Sequence, residues 1–248
     1  MRLKIINPNT TDSMTEAIRK KALEYARPGT EIVAVNPSIG PASIESYYDE
    51  ALATIGVLEE IRIGEVEKFD GYAIACYGDP GLYAARELAR APVVGIGETS
   101  MLMACTLGYK FSIITILDRF IGPVDEMVKR YGLSERCASI RVINTPVLDI
   151  ERGGETVTKL MVEEGRRAVT EDRAEVLLLG CAGMAGLEEA MEEALGVPVI
   201  DGIVAAVKML EGLVDYGKKT SKILTFRYPE RKEVRGFPIH LAGRTNTY

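Results

Sequence analysis

The sequence predicts an α/β protein made of two pseudo-symmetric lobes, each a doubly wound parallel sheet, facing one another across a cleft. Two observations carry this. Apolar, β-branched runs bounded by turn residues alternate with longer amphipathic stretches, which is the pattern of βα units. The chain also resembles itself. LKIIN at 3–7 matches FSIIT at 111–115, YAIACYGD at 72–79 matches VLLLGCAG at 176–183 when Cys76 is set on Cys181, and APVVGIGETSMLMA at 91–104 matches VPVIDGIVAAVKML at 197–210. The three matches fall in one order at offsets of 108, 105 and 106 residues, as expected for two similar lobes.

In chain order, strands are expected at 2–6, 31–35, 71–75, 92–95, 111–116, 139–143, 175–179 and 197–200, where short apolar runs end at turn residues. Helices are expected between them at 11–26, 46–67, 80–90, 98–107, 120–131, 153–171, 184–195 and 202–217. The helix after Cys76 should open at Asp79 and Pro80, since Asp is a good N-cap and Pro suits the first helical position. These elements divide into a first lobe over 1–107, a second over 108–221, and a C-terminal strand and tail over 222–248. A late helix can cross back to the first lobe.

A chain of 248 residues can bury a large core, and 47% hydrophobic with 27% charged residues is a folded composition, not a disordered one. A net charge of -6 without a basic stripe argues against nucleic acid and anionic membranes as partners. No apolar run approaches the roughly 18 residues of a membrane span, and the first residues are too short a stretch for a signal peptide, so the cytoplasm is expected. The four cysteines, at 76, 105, 137 and 181, lack metal or disulfide-framework spacing. His240 is the single histidine, so neither a metal site nor a His-based triad is expected.

Cys76 and Cys181 stand where a buried strand stops and a Gly-containing turn begins, at equivalent places in the two lobes. Free backbone N–H groups there favour thiolate over thiol, which predicts a thiol acidity shifted toward neutrality. Two such groups on opposite faces of one carbon can take a proton from one side and return another from the far side. Backbone N–H groups of Gly78, Ala182 and Gly183 are available to the developing enolate. Packing is the competing reading for any one cysteine, and Cys105 and Cys137 are assigned to it.

Weaker signals sort as follows. GIGETS at 95–100 has Ser100 where a dinucleotide fingerprint needs its third glycine. In NPNTT at 7–11 the Asn and Thr side chains either cap the next helix or line the cleft, and Thr115 inherits the same ambiguity. Glu45, Asp49 and Glu50 read as a solvated helix face.

INPNT at 6–10, GPASIES at 40–46, CYGDPGL at 76–82 and GCAGM at 180–184 together resemble the hydantoin racemases of the aspartate/glutamate racemase superfamily, over about residues 1–220. The resemblance implies an active site in the cleft between the lobes, working without pyridoxal phosphate or metal, with Cys76 and Cys181 as the general acid and base. It further implies substrate contacts at Asn7, Ser43, Ile44, Gly78, Thr115, Ala182 and Gly183. Related amino-acid racemases carry Asn-Thr after the first cysteine and Thr-His or Thr-Glu after the second. Tyr77-Gly78 and Ala182-Gly183 stand here instead, which favours a neutral cyclic ureide over a charged amino acid.

The expected activity is therefore cofactor-independent inversion at C5 of a 5-substituted hydantoin or allantoin. An amino-acid racemase, or an isomerase or decarboxylase of the same superfamily, is the enzyme alternative. A two-lobed small-molecule binding protein is the alternative from another class. A homo-oligomer is expected; the tail after Arg227 falls outside the resemblance, and folding over a neighbouring subunit is one role open to it.

Overall fold

The computed structural model describes residues 1–230. Its first half carries β1 (Arg2–Ile6), α1 (Asp12–Tyr25), β2 (Glu31–Val35), α2 (Tyr47–Glu67), β3 (Gly71–Ile74), α3 (Leu82–Leu88), β4 (Val93–Gly95) and α4 (Ile96–Leu107). The second repeats the order with β5 (Phe111–Thr115), α5 (Ile121–Arg130), β6 (Cys137–Val142), α6 (Val147–Thr170), β7 (Val176–Leu179), α7 (Glu188–Leu195), β8 (Val199–Ile200) and α8 (Gly202–Asp215). The strands form two parallel sheets, β2-β1-β3-β4 and β6-β5-β7-β8, so the repeat in sequence is a repeat in topology. The central strands β3, β5 and β7 are buried along their whole length, because helices cover both faces. β6 is half-buried throughout, as an edge strand should be.

The last helix of each half packs on the other half. α4 lies against β5 and β7, where Met101 and Ala104 join the core of Phe111, Ile113 and Leu178. α8 lies against β3, β4 and α1, where Ile203, Ala206 and Leu210 join Leu3, Ile18 and Ala73. The two exchanged helices also touch each other. A methyl group at Gly202 would stand 2.9 Å from the carbonyl oxygen of Ile96, so their starts approach as closely as backbone allows.

Three local expectations are corrected. α6 begins at Val147 rather than 153, running through a kink at Gly154 (φ 46, ψ -128). A 3-10 turn over Ala182–Met184 replaces the first turn expected for α7. The strand expected after 222 is a 3-10 turn at Leu224–Phe226, and Lys222 Nζ ties it to the carbonyls of Arg86 (2.6 Å) and Glu87 (3.1 Å). His240 and the rest of the tail lie outside the described residues. No helix among the described residues is long and apolar enough to cross a membrane.

Candidate active site

Asn7 and Cys76 emerge side by side from the first sheet, because β1 and β3 run in register with Ile6 beside Ile74. Thr115 and Cys181 hold the matching places on the second sheet, beyond the pair Ile114 and Leu179. The two strand ends face a common cavity, as a parallel α/β sheet leads one to expect. Cys76 and Cys181 both line it, together with Asn7, Asn9, Ile44 and Ala182. Its remaining walls are mostly apolar: Met14, Ala75, Ile116, Phe120 and Val147, with Tyr77 and Gly180. The cavity holds about 30 Å³ of free volume, room for roughly two water molecules.

The Asn ambiguity resolves toward the cavity, since the N-cap of α1 is Thr11 and no side chain caps the helix. Asn7 and Asn9 line the cavity, and they also tie the loop before α1 together. Asn7 Nδ2 donates to Asn9 Oδ1 (2.8 Å) and Thr15 Oγ1 (3.0 Å), while Asn9 Oδ1 accepts from the Thr11 amide (2.9 Å). Of the other residues expected to touch substrate, Ser43, Gly78, Thr115 and Gly183 are not in the cavity wall. Thr115 is fully buried behind it, 3.5 Å from the Gly180 carbonyl. The amides of Gly78 and Gly183 donate to the sulfurs of Cys76 and Cys181, the second at 3.4 Å, instead of pointing into open space.

The thiol acidity expected from sequence is reversed. Burial pushes Cys76 well up, helped by the charge of Glu50 and opposed by the Gly78 amide; Cys181 also adds to the shift, so the two sulfurs feel each other. Burial likewise raises Cys181 to about 11, against the Gly183 amide. The cause is geometric. α3 starts only at Leu82, behind a left-handed Gly81 (φ 74). Asp79, expected to cap α3, takes a left-handed conformation (φ 50) and turns its carboxylate onto α4. There it accepts from the amides of Gly97 (3.0 Å) and Glu98 (2.8 Å), and from the Tyr131 hydroxyl (2.7 Å). Burial pushes Asp79 up to about 7 despite these donors.

The acidic stretch at the start of α2 is not a uniform solvated face. Ser46 and Asp49 form a reciprocal cap, with the Asp49 amide donating to Ser46 Oγ (3.2 Å) and the hydroxyl to Asp49 Oδ2 (2.7 Å). Glu45 reaches across the cleft, where Oε1 accepts from the Val147 amide (2.9 Å) and caps α6 from the opposite lobe. Glu50 turns inward over Gly78. Sequence reasoning also missed Phe120 and Val147 in the wall; each follows closely on a strand of the second sheet, β5 and β6, which is the signal that would have found them. Cys105 and Cys137 pack at the edge of the second core. Among the described residues no three His, Cys, Asp or Glu side chains gather as a metal-binding group.

Comparison with known proteins agrees with this architecture. A family model described as Asp/Glu/Hydantoin racemase matches residues 3–210. The chain is 53% identical over 247 residues to a hydantoin racemase of Pseudomonas sp. (strain NS671), covering 100% of this chain and 99% of the relative. It superposes on an allantoin racemase from Klebsiella pneumoniae with a TM-score of 0.93 at 47% identity, covering 95% of this chain and 96% of that one. A glutamate racemase from Francisella tularensis, at 18% identity, a TM-score of 0.64, and coverage of 96% of this chain and 89% of that one, shares the fold. The two-lobed fold and these relatives together establish that the chain belongs to the Asp/Glu/Hydantoin racemase family and is an isomerase.

Proposed function

We propose that the protein inverts C5 of a 5-substituted hydantoin by two-base proton transfer between Cys76 and Cys181, without a cofactor. The observation that carries this reading is that both sulfurs, from equivalent strand ends of two facing sheets, line one cavity. One cysteine enters as thiolate and the other as thiol. The thiolate takes the C5 proton, the electrons of the broken C–H bond move into an enolate at the adjacent carbonyl, and the opposite thiol protonates C5 from the far face. The thiol and thiolate have then exchanged places, and the starting form returns by proton exchange with solvent. Burial that raises both thiols also makes them strong bases once ionised, which suits a weak carbon acid.

The walls favour the substrate side of the proposal. Lining residues carry no cation to pair with a free amino-acid carboxylate, and Met14, Ile44, Ile116, Phe120 and Val147 suit an apolar C5 substituent better than the ureido group of allantoin. Val147, which lines the cavity, is held from across the cleft by Glu45. The test is to incubate the protein in D2O with enantiopure 5-alkyl hydantoins, allantoin and aspartate, following optical rotation and deuterium at the reacting carbon. Loss of rotation with deuterium uptake on the alkyl hydantoins is expected. Turnover of aspartate alone would overturn the reading.

A further inference from the structure

Glu50 has a feature that the proposed reaction does not use. Its Oε1 is shut off from water and makes no hydrogen bond. The space it fills exists because residue 78 is glycine, since a methyl group there would overlap Oε1. The Gly78 amide is the donor to the Cys76 sulfur, so the unbonded Glu50 sits over the turn that holds this thiol, while Cys181 feels a different carboxylate, Glu45, whose Oε1 is engaged by the Val147 amide. This is an asymmetry within an otherwise duplicated site.

We infer that Glu50 is a positioning residue whose charge sets which of the two thiols holds the proton in the resting enzyme. The inference rests on the reading of Cys76 and Cys181 as the acid–base pair. An ionised Glu50 disfavours a second negative charge on Cys76, so the resting thiolate falls on Cys181 and Cys76 waits as the acid. The groups facing Glu50 are Asp49 on its own helix, and Glu126 and Arg130 on α5 from the other half. Arg130 partly offsets the local negative charge, and Glu126 is bonded to Tyr47. Burial and the neighbouring carboxylates push Glu50 up to about 7, so its charge changes in the neutral range.

A racemase cannot make kcat/KM differ between enantiomers, because their free energies in solution are equal. A bias in the resting form therefore shows as unequal KM values matched by unequal kcat values. Glu50→Gln should narrow that split.

The direct test reads the thiols without turnover: iodoacetamide alkylation of the native full chain from pH 6 to 10, with each cysteine followed by peptide mass spectrometry. In Glu50→Gln, alkylation of Cys76 at pH 8 should rise about tenfold, the effect of roughly one pKa unit. Cys181 should stay within about twofold. Glu50→Asp, which keeps the charge, should restore most of the wild-type profile. An unchanged Cys76 profile in Glu50→Gln, or an equal rise at both cysteines, overturns the inference. Wild-type racemisation by Cys76→Ser would instead overturn the two-cysteine reading, while the alkylation result would still report the coupling of Glu50 to Cys76.

Discussion

Replacing Cys181 with Ser separates the two halves of the proposed reaction. Serine keeps the shape of the side chain and leaves an acceptor for the Gly183 amide, so folding should be retained. What is lost is an ionisable group. With Cys181 raised to about 11, roughly one free enzyme in a thousand carries its thiolate at pH 8, and a serine alkoxide is far scarcer. Loss of one general acid–base group costs about 10²–10⁴ in rate, or about 3–5 kcal/mol of barrier. Enantiopure 5-alkyl hydantoin in D2O provides the assay, with polarimetry for inversion and NMR for deuterium at C5, each corrected for the uncatalysed rate. Inversion should collapse in both Cys76→Ser and Cys181→Ser. Residual exchange should be confined to one enantiomer in the first variant and to the other in the second, because each retains a base on a single face. The wild-type enzyme should gain kcat/KM about tenfold per pH unit from pH 7 toward 10, as the thiolate becomes populated. Either variant inverting at more than about a tenth of the wild-type rate, or both preferring the same enantiomer, refutes a face-specific pair of bases.

Two further consequences follow from the carboxylates around the cleft. Asp79 keeps its proton to about pH 7 in the fold against an ordinary 3.8, so the unfolded chain releases that proton first and stability is lost as pH rises across this window, by up to about 4 kcal/mol. Urea unfolding of Asp79→Asn against wild type should show the variant gaining relative stability between pH 4 and pH 7.5, and a pH-independent difference would contradict this origin. Glu45→Ala removes the cap that Glu45 places on α6 across the cleft, a contact worth about 1–2 kcal/mol. Urea unfolding should show a loss of about 1–2 kcal/mol, with faster hydrogen exchange at the Val147 amide; unchanged values of both would mean that this contact does not hold the lobes together.

What could be read from the sequence depended on how local the cause was. Strand positions were legible because each central strand is a short apolar run buried on both faces, and the duplication placed Cys76 and Cys181 at equivalent strand ends without any structure. Their acidity was not legible, because it turns on what surrounds the sulfur. A Gly-rich turn after a strand suggests a helix N-terminus nearby, yet Asp79 adopts a left-handed conformation, α3 begins only at Leu82, and burial then governs the thiol. Glu45, Asp49 and Glu50 were indistinguishable by composition and helical position. They differ through partners far away in the chain: Val147 across the cleft for Glu45, and for Glu50 the missing side chain at Gly78. The glycine that the motif CYGDPG suggests as a turn residue thus has a second role, making room for a carboxyl group beside one sulfur of a pair that the sequence repeat alone would make equivalent.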